Sequence, residues 1–88
     1  MADQPAWPRV GQKILTRHGK IGDVVVVLRG VEALRPKTEI QILELVPSMM
    51  ASLGSDWMNR YYEATIQLPT MEMVIVTPRD VDSILDGD

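Results

Sequence analysis

The sequence predicts a mainly β domain, α+β at the margin. Its centre is a five-stranded, strongly bent antiparallel sheet with a helical insertion and a C-terminal helical turn. Three observations carry this. Residues 24–27 are four valines in a row, followed by Leu28, and β-branched side chains fit a pleated surface. Tyr62, Ala64, Ile66 and Leu68 alternate with Tyr61, Glu63, Thr65 and Gln67, the pattern of a half-buried strand. Gly19, Gly22, Gly30, Pro47 and Pro69 fall between the apolar runs, where turns belong.

Residues 1–9 read as an N-terminal tail, since Pro5 and Pro8 remove two backbone donors. Trp7 within it is expected to dock on the domain or on a partner. Residues 10–88 read as one small domain. Strand one covers residues 10–17. Gln12, Ile14 and Thr16 share one face and Lys13, Leu15 and Arg17 the other, a mixture that predicts an edge strand. Gly19 and Gly22 bracket Lys20 and Ile21 and allow a tight bend. Strand two covers residues 23–29, with burial on both faces or a place at a barrel corner.

Residues 30–37 form a connection, in which Pro36 steers Arg35 away from helical angles. Strand three covers residues 39–46 and is dominated by Ile40, Ile42, Leu43, Leu45 and Val46. A bulge near Leu43 would bring Ile40, Ile42, Leu43 and Leu45 to one side. Residues 47–60 form the helical insertion. Ser48 is the expected N-cap, and Met49, Leu53, Trp57 and Tyr61 recur every four residues along one face. Gly54 interrupts that pattern. Two short turns are therefore the alternative, the first closed by Gly54 and the second capped by Ser55 or Asp56. Residues 61–68 and 71–77 are strands four and five, a hairpin across Pro69 and Thr70. Thr77, Pro78 and Asp80 carry a helix-start signature. Val81, Ile84 and Leu85 would be the stripe of that terminal helical turn, and Gly87 its stop.

The chain has 88 residues and no cysteine. Disulfides, thiol nucleophiles and thiolate zinc sites are excluded, and a cytoplasmic location is expected. The first ten residues lack a basic segment followed by an apolar run, so no signal peptide is expected. The longest apolar run, residues 24–28, falls far short of a membrane span. A net charge of −3 hides an asymmetry. Residues 9–37 hold seven bases against Asp23 and Glu32, a net of +5, whereas residues 38–88 hold Arg60 and Arg79 against nine acids, a net of −7. Asp3 supplies the remainder. Either the two halves neutralise each other across the fold, or the basic half presents a cationic face to an anionic partner.

No catalytic constellation is visible. His18 is the single histidine, set in a polar turn beside Arg17 and Lys20, and it can contact a phosphate or carboxylate or simply face solvent. Asp80 and Asp82 fall on different sides of a helix. Asp86 and Asp88 flank Gly87 without the spacing of a calcium loop. Glu63 and Glu72 on neighbouring strands are the one carboxylate pair an enzyme could use. No cofactor and no metal are expected. The apolar residues Met49, Met50, Leu53, Trp57, Met58 and Tyr61 of the insertion either lid the sheet or form an interface, to which methionine and aromatics are suited.

Residues 10–15, Val-Gly-Gln-Lys-Ile-Leu, followed by His18-Gly19-Lys20-Ile21-Gly22-Asp23-Val24-Val25, resemble the KOW motif of ribosomal proteins and transcription elongation factors. The resemblance covers residues 10–29. It implies an SH3-like barrel whose first hairpin loop meets RNA or a protein partner. On matching positions, it makes Gly19, Lys20, Gly22 and Val24 the motif residues and Arg17 and His18 the contact groups. Two departures stand beside it. The whole chain is acidic, and no aromatic side chain is interleaved with the basic cluster for base stacking.

The expected function is a non-enzymatic interaction module that binds itself, as a homo-oligomer, or another protein through the insertion. The alternative is nucleic-acid binding through Arg9, Lys13, Arg17, His18 and Lys20.

Overall fold

The computed structural model describes residues 7–86. The chain forms a five-stranded antiparallel sheet and two helices. The strands are β1 (Lys13–Thr16), β2 (Ile21–Arg29), β3 (Tyr62–Gln67), β4 (Met73–Val76) and β5 (Val81–Leu85), and the helices are α1 (Val31–Leu34) and α2 (Glu39–Leu53). Short 3-10 turns occupy Trp57–Asn59 and Pro78–Asp80. The strand order is β4-β3-β2-β1-β5. β4 and β5 lie at opposite ends of that order, so the sheet is open rather than closed.

β1 and β2 join through a four-residue loop, residues 17–20. Thr16 N–H donates to the Lys20 carbonyl at 2.8 Å, Lys20 N–H donates to Thr16 Oγ1 at 3.0 Å, Gly19 N–H donates to the Thr16 carbonyl, and Gly19 sits at φ +85°. A turn followed by a left-handed residue matches the twist of the flanking strands, and glycine adopts that conformation without strain. Gly22 has a different task from the one expected. It lies inside β2, and a Cβ there would stand 3.0 Å from the Ile66 side chain and 3.1 Å from the Gln67 carbonyl. β3 can approach because Gly22 has no side chain.

The valine run is buried only in part. Register shifts between Val24 and Val26, making Val25 the extra residue of a bulge. Val24 is buried, while Val26 beyond the bulge is 46% exposed. The sheet consequently has two apolar clusters. The first collects Ile14, Val24, Tyr62, Ala64, Ile66, Leu68 and Val76, with Trp7, Val27, Val81 and Ile84 packed on it. The second collects Ala33, Leu34, Met49, Trp57 and Tyr61, with Leu28 and the inner face of α2 against it. The alternation of β3 sends Tyr62, Ala64 and Ile66 to the first cluster.

Several expectations are corrected. Residues 39–46 are the first half of α2, not a strand. Thr38 and Gln41 form a reciprocal capping box, with Gln41 N–H on Thr38 Oγ1 at 3.2 Å and Thr38 N–H on Gln41 Oε1 at 2.9 Å. A capped start of this kind nucleates a helix. The insertion therefore begins well before residue 47, Pro47 lies inside α2, and Ser48 is not its cap. The two-turn alternative describes its end. Gly54 closes α2 at φ +87°, and a separate 3-10 turn with Asp56 before it follows. Arg35 is helical despite Pro36, as the C-cap of the single turn α1.

β1 is no edge strand, because β5 pairs along it from Lys13↔Leu85 to Thr16↔Val81. Residues 81–85 are that strand, not a helical stripe. The helix start at Thr77 survives as the 3-10 turn, with Asp80 Oδ2 accepting from Thr77 N–H at 3.0 Å. The expected stop at Gly87 lies outside the described residues. Trp7 docks on the domain as expected, with the Arg29 guanidinium 4.4 Å from its ring centre.

Gly22→Ala should cost about 1–3 kcal/mol through overpacking against Ile66. Gly19→Ala meets open space and should cost about 1–2 kcal/mol from its left-handed backbone alone. Urea denaturation of both variants checks this. Only the Gly22 cost should be relieved in part by trimming Ile66 to Val in the same chain, which removes the Cδ1 contact and leaves those to Ile66 Cβ and the Gln67 carbonyl.

Candidate functional site

The basic residues of the first half divide into engaged and unengaged groups. Lys13 pairs with Asp23 across β1 and β2 at 2.5 Å. Arg29 is stacked on Trp7. Lys37 pairs with Glu63 at 2.7 Å, a contact between the basic and acidic halves. Arg9 is exposed, and its backbone N–H donates to Gln12 Oε1. Arg17, His18 and Lys20 stand exposed on the β1–β2 loop. Among the described residues no carboxylate lies within ion-pair distance of Arg9, Arg17, His18 or Lys20.

The structure adds a residue that sequence reasoning missed. Arg17 Nε donates to the Arg79 carbonyl at 2.6 Å, and Arg17 N–H donates to the Asp80 carbonyl at 2.9 Å. Arg79 Nη1 in turn donates to Ser48 Oγ on α2 at 2.6 Å. Two arginines that are 62 residues apart in sequence thus meet beside one edge of α2. They line an open cleft of about 420 Å³ with Ser52, Leu53 and Pro78. No sequence pattern links residues 17, 48 and 79, since β5 pairing alone brings the Pro78–Asp80 turn to the end of β1.

The expected interface residues separate by depth. Met49, Trp57 and Tyr61 are buried within the second cluster, and Leu53 packs at its margin. Trp57 and Tyr61 meet edge to face at 6.0 Å. Met50 and Met58 are exposed. α2 adds Ile40 at 69% and Leu43 at 67% exposure. Ile40, Leu43, Pro47 and Met50 follow helical spacing along one outward strip, while Ile42, Leu45, Val46 and Met49 face inward. The helix is thus apolar on two sides. A second exposed apolar row crosses the sheet, where Val26 and Ile75 flank Thr65 in register. Met73 extends it along β4, whose other side has no strand.

The carboxylates do not converge. Glu63 accepts from the Tyr61 hydroxyl at 2.6 Å as well as pairing with Lys37, so both partners hold it in place. Glu72 lines an open apolar groove with Lys20, Ile21, Leu68 and Pro69. Among the described residues no three His, Cys, Asp or Glu side chains gather as a metal would require. No helix among them is long and apolar enough to cross a membrane. Comparison with protein-family models, with curated proteins and with solved structures finds no match.

Two phenols are perturbed. Burial, then the Asp80 carboxylate, pushes Tyr62 up to about 12. Tyr61 moves further in the same direction, through burial first, then its hydrogen bond to Glu63 and the charges of Glu63 and Asp80. Both native values exceed the ordinary value of 10.0. Above that pH the unfolded chain loses protons that the native chain retains, so stability falls as pH rises. The contribution of the two phenols is complete below about pH 10 and is lost as pH climbs through about 12 and beyond. Urea midpoints followed across this window should decline in the parent chain and decline less in Tyr62→Phe. Identical slopes would show that Tyr62 is not a source of the effect.

Proposed function

We propose that the domain is a non-enzymatic interaction module that associates through the outer face of α2. The observation that carries this is the exposure of Ile40, Leu43 and Met50 in one helical strip. A helix with an apolar outer face has unused burial to offer a partner. Full burial of such a side chain from water yields about 1.5–3 kcal/mol, and these three are already partly covered. Association costs roughly 4–15 kcal/mol in lost freedom. The strip therefore supports weak, concentration-dependent association, with a second copy or another protein, rather than a permanent dimer. A cysteine-free chain suits a reducing cytoplasm.

A second reading rests on a separate observation, the exposure of Arg17, His18 and Lys20 on the β1–β2 loop with no ion-pair partner among the described residues. In this reading the open sheet has an SH3-like strand arrangement and the loop is its KOW-like contact point for RNA. Its support is the strand order, in which β5 returns beside β1, and the helical turn before β5. Gly19 and Gly22 also hold positions that need glycine. Phosphate contacts weaken steeply with salt. RNA binding that is lost on raising salt and on Arg17→Ala plus Lys20→Ala would favour this reading over the first.

Sedimentation equilibrium tests the leading proposal. The parent chain should show weight-average mass rising with concentration. Ile40→Lys plus Leu43→Lys should return it to monomer with an unchanged circular dichroism spectrum, because both side chains already face solvent. A parent chain that stays monomeric overturns self-association, and an associating double variant overturns the use of this face.

A further inference from the structure

We propose that the cleft between Arg17, Arg79 and the Ser48–Ser52 edge of α2 binds a phosphate group, either free or as a monoester. This goes beyond the apolar face, because it uses another arc of α2 and needs no association.

Four observations converge. Two arginines line one cleft with no carboxylate at ion-pair distance among the described residues. The adjacent acid, Asp80, is turned away, its Oδ2 accepting from Thr77 N–H and from the Thr77 hydroxyl at 3.2 Å. Both arginines are held by contacts to other groups, Arg17 through Nε on the Arg79 carbonyl and Arg79 through Nη1 on Ser48. Among the described residues, that restraint leaves the two Nη groups of Arg17 and the Nε and Nη2 of Arg79 without such a partner. The cleft of about 420 Å³ also has Ser52 in its wall.

A planar guanidinium offers paired donors that suit phosphate oxygens, and its always-charged form needs no proton. Preorganised donors lose less entropy on binding than free side chains. A tetrahedral phosphate, with three terminal oxygens on a monoester, can take donors from both arginines and from Ser52 at once. A rival role for the arginines is to face the negative end of the α2 dipole, since α2 has no basic residue in its own last turn. That end is equivalent to about half a negative charge. Two guanidinium charges exceed it about fourfold, so the cleft stays cationic after the dipole is satisfied.

The test is an NMR titration of the whole chain with inorganic phosphate and with glycerol phosphate, against sodium chloride at matched ionic strength. The expected result is saturable shifts at the Arg17 and Arg79 side chains and the Ser52 amide, absent with chloride. The tighter of the two anions names the source, and saturation by neither overturns the site. Arg17→Gln and Arg79→Gln should each weaken binding by about tenfold, while Lys20→Ala should change it by less than about twofold. Retained affinity in either arginine variant overturns the proposal. Equal weakening by Lys20→Ala overturns it as well, since the loop's general charge would then explain the binding. If either glutamine variant fails to fold, Ser52→Glu replaces it. A carboxylate placed in the cleft should abolish phosphate binding and raise the thermal midpoint of the free chain, whereas retained binding overturns the site.

Discussion

Tyr61 and Tyr62 are consecutive in the chain and belong to different cores. Each is nearly inaccessible, at 1% and 4% exposure. Large aromatic side chains dominate the burial of a small domain, and here two of them leave the backbone in opposite directions at one point. The sheet core and the helical layer are therefore welded at the start of β3. Tyr61 also fixes Glu63 with its hydroxyl, and Glu63 takes Lys37 from the segment between the helices. The position of α2 depends on this junction, and both the apolar strip and the arginine cleft depend on α2.

The strand count agreed with the sequence reading although the membership did not. The sequence pattern places residues 39–46 in the sheet and residues 81–85 in a helical turn, and the structure exchanges them. The physical reason is the same in both cases. α2 is apolar inward at Ile42, Leu45 and Val46 and outward at Ile40 and Leu43, so the helical period is blurred into a nearly continuous apolar run. Only the capping box at Thr38 and Gln41 marks its start. Val81, Ile84 and Leu85 have helical spacing, and five residues are too few for a period to be decisive. Their strand state comes from pairing with β1, such as Ile14↔Ile84. That is a contact across most of the chain, which no local pattern records. By contrast β3 was legible because its alternation matches its burial residue by residue.

Legibility of the candidate sites follows the same line. Arg17, His18 and Lys20 could be found because a glycine-bearing turn announces itself locally. Arg79 could not, since its meeting with Arg17 requires β5 beside β1. Met50 and Met58 were found by composition, but depth along a helix cannot be read when both faces are apolar. Met49 and Trp57 were then grouped with residues that turn outward. Ile40 and Leu43 were hidden by their assignment to a strand.

The charge asymmetry of the chain takes a definite form in three dimensions. The basic and acidic halves do meet, at Lys37 and Glu63, but Lys13 finds Asp23 within its own half. The acids that follow Arg79 do not answer it, because Asp80 caps its own turn and Asp82 is exposed. Neutralisation across the fold is therefore local, and the uncancelled charge is cationic where β1, the Pro78–Asp80 turn and α2 converge. A helix advances about 100° per residue, so Leu43 and Ser48 project about 140° apart on α2. One helix can consequently serve the core with one arc, an apolar partner with the second and the arginine cleft with the third, with Leu53 bordering both the core and the cleft.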